Sequence, residues 1–376
     1  MTTPTAGVST TALVIASARA TESERADRLF RDPLAAGFLA AATGEGPVPA
    51  LETVRHPMEH YFAIRTRLFD DYLLRACARG CGQVVVLGAG LDTRAFRLPW
   101  PAGVRLFELD LPHVFGFKEP VVAAAGAVPA CERVTVPADL GGDWAAALRA
   151  AGLRPDLPTA WLIEGVLCYL DSAQAERVLA EATRLSAPGS WIAGEHVSRR
   201  VFDDPVARPM LDALAAVDAA WRSGVDDVVP WLGGYGWRAE TVDLTDPAVH
   251  HGRLSELDRE RIGDGPPRGW IFRPAPVRVR TVCPRGPGRH LCIRYFTAPL
   301  FARCPEFRPR IRRMADAPCV ILHGRSSTTV GERDGGQPIS GIEKRGHGAA
   351  RAASSYLRRA GNRGQRPRLI PPAGSA

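Results

Sequence analysis

The sequence predicts an α/β fold, a doubly wound parallel sheet beneath an N-terminal helical cap, and three observations predict it. First, Gln83–Phe96 (QVVVLGAGLDTRAF) carries four apolar residues, Val84–Leu87, straight into Gly88-Ala89-Gly90. That is the pattern of a buried parallel strand ending at a glycine turn. Second, another strand, Val104–Leu109, follows and ends beside Glu108 and Asp110. Third, strands and helices keep alternating to residue 195, as in domains with helices on both faces of a sheet.

The elements follow in order. Residues 1–80 read as a helical cap. Ser9–Ala20 is an Ala-rich apolar run, and Asp27–Ala42 a second helical region broken near Pro33. Thr43–Pro57 reads as a Gly/Pro-bearing loop. In Glu59–Arg79, Tyr61, Ile64, Leu68, Tyr72 and Leu73 repeat at helical spacing. Arg65 and Arg67 lie there two residues apart, so only one can face inward. After the glycine turn, Leu91–Phe96 opens a helix whose free N–H groups suit a ligand. Val114–Ala125 is a helix, Arg133–Pro137 a strand leading to Asp139-Leu140, and Asp143–Ala151 a helix with an acid at its start. Thr159–Val166 is a strand leading to Glu164, Asp171–Leu185 a capped helix and Ser190–Glu195 a strand. Pro205–Ser223 reads as helical, and Arg238–Leu244 as a late strand. Four acids, Glu108, Asp110, Asp139 and Glu164, fall at or just after strand carboxyl ends, the rim where open parallel sheets bind ligands.

Composition narrows the class. The chain has 376 residues, 45% of them hydrophobic, enough for a substantial core. No run approaches a membrane span and no secretory leader is evident, so a cytoplasmic protein is expected. Eight scattered cysteines form no CxxC, and the adjacent His250 and His251 lack partners at metal spacing, so no metal site is expected and a surface role suits the histidines. The net charge of +8 divides unevenly. Residues 276–376 hold 20 basic and 5 acidic residues, net +15, whereas residues 1–275 hold 28 and 35, net −7. The acidic body offers no electrostatic footprint for nucleic acid.

Strand, glycine turn, strand and acid define a nucleotide or nucleoside site in general terms. The spacing here is GxG without a third glycine, which counts against a nicotinamide-dependent oxidoreductase, the alternative enzyme class.

Longer stretches narrow the choice. GAGLDTR (88–94), FELD (107–110) and WLIEGVLCYL (161–170), with IRTRLFDDYL (64–73) and LSAPGSWIAGEH (185–196), occur together in order. The chain resembles the S-adenosylmethionine-dependent methyltransferases of the leucine carboxyl methyltransferase-like group of mycobacteria and related actinobacteria, over roughly residues 9 to 255. The resemblance implies a class I, Rossmann-like methyltransferase sheet over residues 81–275. It implies S-adenosyl-L-methionine as cofactor and a small-molecule methyl acceptor. It implies that Gly88, Ala89 and Gly90 pass under the methionine moiety and that Arg65 pairs with its carboxylate. Asp110 then takes the ribose hydroxyls, Asp139 and Leu140 border the adenine, and Glu164 approaches the amino group. No catalytic residue is assigned. Cys168 stands where the group often has Met or another apolar residue.

A carboxylate acceptor is already ionised at neutral pH, whereas a hydroxyl needs a base, and no His or Lys stands out for that task. O-methylation of a carboxylate or an easily ionised hydroxyl is therefore expected. After Arg253 the family pattern dissolves into Arg, Pro and Gly, and the sheet is expected to lack its last strand. The charge change fits a coding frame that slipped near its natural end, giving residues 276–376 as an irregular basic extension. A basic interaction tail is the alternative for that segment, and a non-catalytic product with a degraded C-terminus the alternative for the whole.

Overall fold

The computed structural model describes residues 10–42, 49–256, 269–275, 279–282 and 291–294. Three helices lead: α1 (Thr10–Glu24), α2 (Ala35–Ala42) and α3 (Pro49–Ala78). Then come β1 (Gln83–Leu87), α4 (Arg94–Arg97), β2 (Arg105–Asp110), α5 (Pro112–Ala124), β3 (Glu132–Pro137) and α6 (Trp144–Ala150). They are followed by β4 (Thr159–Ile163), α7 (Ser172–Arg184) and β5 (Trp191–Val197). The last part holds α8 (Arg208–Ala215), α9 (Val228–Gly234), β6 (Ala239–Thr241), α10 (Pro247–His250) and β7 (Gly269–Pro274).

The seven strands form one sheet in the order β3-β2-β1-β4-β5-β7-β6. The first five pair in parallel, and β7 inserts antiparallel between β5 and β6. The direction of winding reverses between β1 and β4, and a ligand site is expected outside the carboxyl ends of such strands.

Every residue of β1 and β4 is buried, as central strands covered on both faces require. Alternate residues serve different cores. Val85, Leu87, Phe107 and Trp161 face the helices α6, α7 and α9, whereas Val84, Val86, Leu106 and Leu162 pack beneath α3. The cap helices join a third cluster, in which Ala16, Leu34 and Phe38 meet Leu91 and Val122. Helix α7 begins at a complete capping box, Asp171 accepting from Gln174 N while the Gln174 side chain accepts from Asp171 N.

The structure corrects several sequence readings. Helix α3 starts at Pro49, so the expected loop over Thr43–Pro57 is helical in its second part. Residues 91–93 form the turn itself, and the helix after it spans only Arg94–Arg97. The helix expected over Pro205–Ser223 covers Arg208–Ala215. The late strand shrinks to Ala239–Thr241, and Gly233-Gly234, read as part of its approach, close α9. His250 is buried while His251 is exposed, so only one suits a surface role.

The largest correction concerns the end of the sheet. The segment GWIFRP, expected to lie where the pattern dissolves, is β7, and its Ile271 and Phe272 are core residues. The sheet therefore has its last strand. Its apolar residues sit among Arg and Pro, which hides a strand buried on both faces. Beyond it, β8 (Val279–Val282) and β9 (Leu291–Arg294) make a separate antiparallel pair. The rest of the basic extension lies outside the described residues. Among the described residues no helix is long and apolar enough to cross a membrane.

Candidate functional site

The site begins where β1 stops. Gly88 (φ 62°) and Gly90 (φ 48°) are left-handed, a conformation that L side chains rarely adopt. A Cβ on Gly88 would also come within 2.8 Å of the Val166 side chain. The turn is tied to the neighbouring strand. Ala89 N donates to Leu109 O at 3.0 Å, and Gly90 N donates to Asp110 Oδ2 at 2.6 Å. Leu111 N donates to the other Asp110 oxygen at 2.7 Å. Each carboxylate oxygen thus spends one lone pair on the backbone and keeps another for a ligand. Burial pushes the Asp110 pKa above its ordinary value, against those two backbone donors.

Beside the turn lies a network of buried charges from four separate segments. Of the two helical arginines, Arg65 is buried, while Arg67 is half-buried and donates to Asp71 and Leu29 O. Arg65 Nη1 donates to Glu195 Oε1 at 2.5 Å, and its Nε lies 2.9 Å from Glu164 Oε1. That Nε–H has no aligned acceptor, so a buried donor is left over beside the turn. Tyr61 donates its hydroxyl to the second oxygen of Glu195. Arg94 pairs with Asp92, with Asp70 at 2.7 Å and with the second oxygen of Glu164 at 2.8 Å. Arg97 completes the group against Asp70 at 2.5 Å.

The electrostatics differ from one acid to the next. Burial opposes ionisation of Glu164, but Arg94 and Arg65 outweigh it and hold the carboxyl below its ordinary value. Burial also opposes the charge on Asp92, and Arg94, Lys118 and Arg97 overcome it, leaving a pKa of about 2. At Glu195 burial prevails over Arg65 and Tyr61, and the pKa rises.

All groups of this network but Asp70 and Arg97 border one cavity of about 1220 Å³, lined also by the cap helices, by β7 and by the chain on either side of α8. Arg65, Gly88, Ala89, Gly90, Asp110 and Glu164 all line it. Asp139 and Leu140 do not. Asp139 is exposed and accepts from Gly141 N at 2.7 Å, while Leu140 is packed in the core near Trp144. Glu108, read with the rim acids, is not at the rim. Its strand continues two residues further, and its fully buried carboxylate pairs with Lys118 Nζ and Arg133 Nη2, each at 2.7 Å.

Sequence reading passed over Glu195, Tyr61, Asp92 and Arg94. The rule that found Glu164, an acid at the carboxyl end of an apolar strand, applies equally to Glu195 in SWIAGE. Nothing local announces Tyr61, whose partner is 134 residues away in sequence. The remainder of the cavity is walled largely by apolar groups, among them Val14, Ile15, Phe62, Leu214 and Trp270, with His60, His113 and His196 among the polar ones.

Comparison with known proteins gives this arrangement its class. Residues 12–183 match the family model described as leucine carboxyl methyltransferase. A protein of Parafrankia sp. is 48% identical over 254 residues, covering 65% of this chain and 81% of its own. One from Streptomyces coelicolor is 43% identical over 267 residues, covering 69% and 93%. A Mycobacterium avium protein is 41% identical over 269 residues, covering 65% and 88%. Each is provisionally named an S-adenosyl-L-methionine-dependent methyltransferase. With a Rossmann-like sheet and a glycine turn at its switch point, the chain is a methyltransferase that depends on S-adenosyl-L-methionine. It belongs to the leucine carboxyl methyltransferase-like family.

Proposed function

We propose that this enzyme methylates an oxygen, a hydroxyl or a carboxylate, on a small and largely apolar molecule. The observation that carries the reading is the leftover Arg65 Nε–H, buried in the cavity beside the glycine turn and within 2.9 Å of Glu164. An α-amino acid end presents a carboxylate and an ammonium together, and this pair offers each an opposite charge. Arg65 takes the carboxylate and Glu164 the amino group. Gly88, Ala89 and Gly90 let the backbone approach the methionine chain, and Asp110 accepts from the ribose hydroxyls with its unused lone pairs. Asp139 and Leu140 are proposed at the adenine edge, one strand further along the rim.

When bound, S-adenosyl-L-methionine supplies a methyl group already activated on a sulfonium. The protein's part is to align the acceptor, exclude water and match charge. Three arginines, Arg65, Arg94 and Arg97, face four carboxylates, Asp70, Asp92, Glu164 and Glu195, in the buried network. The excess negative charge suits a cofactor whose ammonium, sulfonium and carboxylate leave one net positive charge. The apolar far wall suits the body of an acceptor.

Isothermal titration tests the reading. Folded protein should bind S-adenosyl-L-homocysteine with one-to-one stoichiometry, and NADH should produce no heat. Binding of NADH without binding of S-adenosyl-L-homocysteine would overturn it.

A further inference from the structure

The cavity that receives the methyl acceptor is poor in available positive charge. Among the described residues its lining holds three arginines, Arg19, Arg65 and Arg94, and no lysine. It also holds three histidines, His60, His113 and His196, and five carboxylates, Asp92, Asp110, Glu164, Glu195 and Asp218. Each arginine is already engaged, apart from the Nε–H groups of Arg65 and Arg19, which have no aligned acceptor. Arg19 Nη2 donates to Leu91 O at 2.7 Å and its Nε lies 3.4 Å from Asp32, while Arg65 and Arg94 are held by the carboxylates described above. The excess of acids over arginines exceeds the one net positive charge of the cofactor. An anionic acceptor would enter a cavity of its own sign, away from water.

Glu195 is where this matters. It lies two residues before the end of β5 but, unlike Glu108, opens onto the cavity, between Arg65 on the cofactor side and Tyr61, which packs against Phe62 and with it borders the apolar wall. We infer that the acceptor is an uncharged hydroxyl on an apolar molecule, and that Glu195 receives that hydroxyl's hydrogen bond. This rests on the methyltransferase reading and decides between the two oxygens proposed for it.

The step then balances without another reactant. The acceptor oxygen forms its bond to the methyl carbon as the methyl–sulfur bond breaks and its electron pair stays with sulfur. The hydroxyl proton passes to Glu195. Burial raises the Glu195 pKa, which makes it a stronger base than an exposed carboxylate. Tyr61 is a positioning residue, holding one carboxylate oxygen in place. His60, His113 and His196 also line the cavity, and this assignment gives the proton to Glu195 rather than to any of them.

A matched pair of probes tests the inference on full-length protein saturated with S-adenosyl-L-homocysteine. 1-Naphthol and 1-naphthoate share their apolar body and differ in charge at neutral pH. By titration calorimetry the naphthol should bind at least about tenfold more tightly, and Glu195→Gln should narrow that gap. Tighter binding of naphthoate overturns the inference, as does binding of neither probe. An unchanged gap in a Glu195→Gln protein that still binds S-adenosyl-L-homocysteine removes Glu195 from the acceptor. The wild-type comparison decides the charge of the acceptor even if the variant fails to fold. Failure of S-adenosyl-L-homocysteine itself to bind would instead count against the cofactor reading, so the two failures separate.

Discussion

Two clusters of buried charge lie under the same sheet, and they are built to different ends. In one, Glu108 of β2 meets Lys118 of α5 and Arg133 of β3, with Glu108 and Lys118 wholly buried. In the other, Arg65, Glu164, Glu195 and Arg94 are nearly as buried but border a large cavity and leave a donor over. Burial and ion pairing do not distinguish them. What does is contact with space that a ligand can fill. A sealed cluster fastens helix to sheet, whereas an open one keeps charge ready for an incoming group.

The difference can be broken from either side. The largest effect is expected at the sealed cluster. Lys118→Met leaves Glu108 with Arg133 alone in a buried site, and stability should fall by about 3–5 kcal/mol in urea unfolding. Lys118 acts on Asp92 of the open cluster only through space, so the fraction that folds should still bind S-adenosyl-L-homocysteine, with a smaller loss than at Arg65. A loss as large as that of Arg65→Ala would show that the two clusters work as one.

His196 is a third case, a buried titratable group with no charged partner among the described residues. Burial lowers its pKa from 6.5 to about 4. Between those values the unfolded chain binds a proton that the native state excludes, so stability falls as pH drops through the window. The loss reaches about 3 kcal/mol at its acid end. Unfolding free energies of wild type and His196→Leu, compared from neutral pH to pH about 4, should show the wild type losing this much relative to the variant on acidification. Parallel curves would show that native His196 takes up its proton as readily as the unfolded chain does.

At the open cluster the effect moves from stability to affinity. Arg65→Ala should weaken S-adenosyl-L-homocysteine binding by about 1.5–3 kcal/mol, roughly 10- to 150-fold. An unchanged dissociation constant would make Arg65 a fastening residue like Lys118. The smallest effect is expected far from both clusters. Ending the chain after Pro276 keeps every residue of the proposed site and should leave the affinity unchanged. Limited proteolysis should then yield a stable binding core. A protected C-terminal fragment, or lost binding on truncation, would show that the basic extension completes the fold.

Much of the sheet was legible in the sequence because central parallel strands are written as unbroken apolar runs. QVVVL and TAWLI could be read without knowing their neighbours. GWIFRP could not, since a six-residue strand among Arg and Pro has no local period to announce it. Pro49 and Pro57 signalled a loop, yet α3 begins at one and runs through the other. The glycine turn was legible from conformational need, and its neighbour Asp110 from strand position. Glu108 satisfied the same positional rule and failed it, because Lys118 and Arg133 cover it from outside its own segment. Arg65 with Glu195 was not legible as a pair, since 130 residues separate them and only the fold brings them together.

The insertion of β7 has a consequence for the growing chain. Among the described residues, strand β6 is made before β7 but pairs only with it, while β5 has an open edge until β7 arrives. A nascent chain synthesised from its N-terminus must therefore hold β6 without a partner until residues 269–274 emerge. Trp270 and Ile271 also line the cavity, so the pocket gains its last wall at the same moment. Cofactor captured before then would meet an unfinished room.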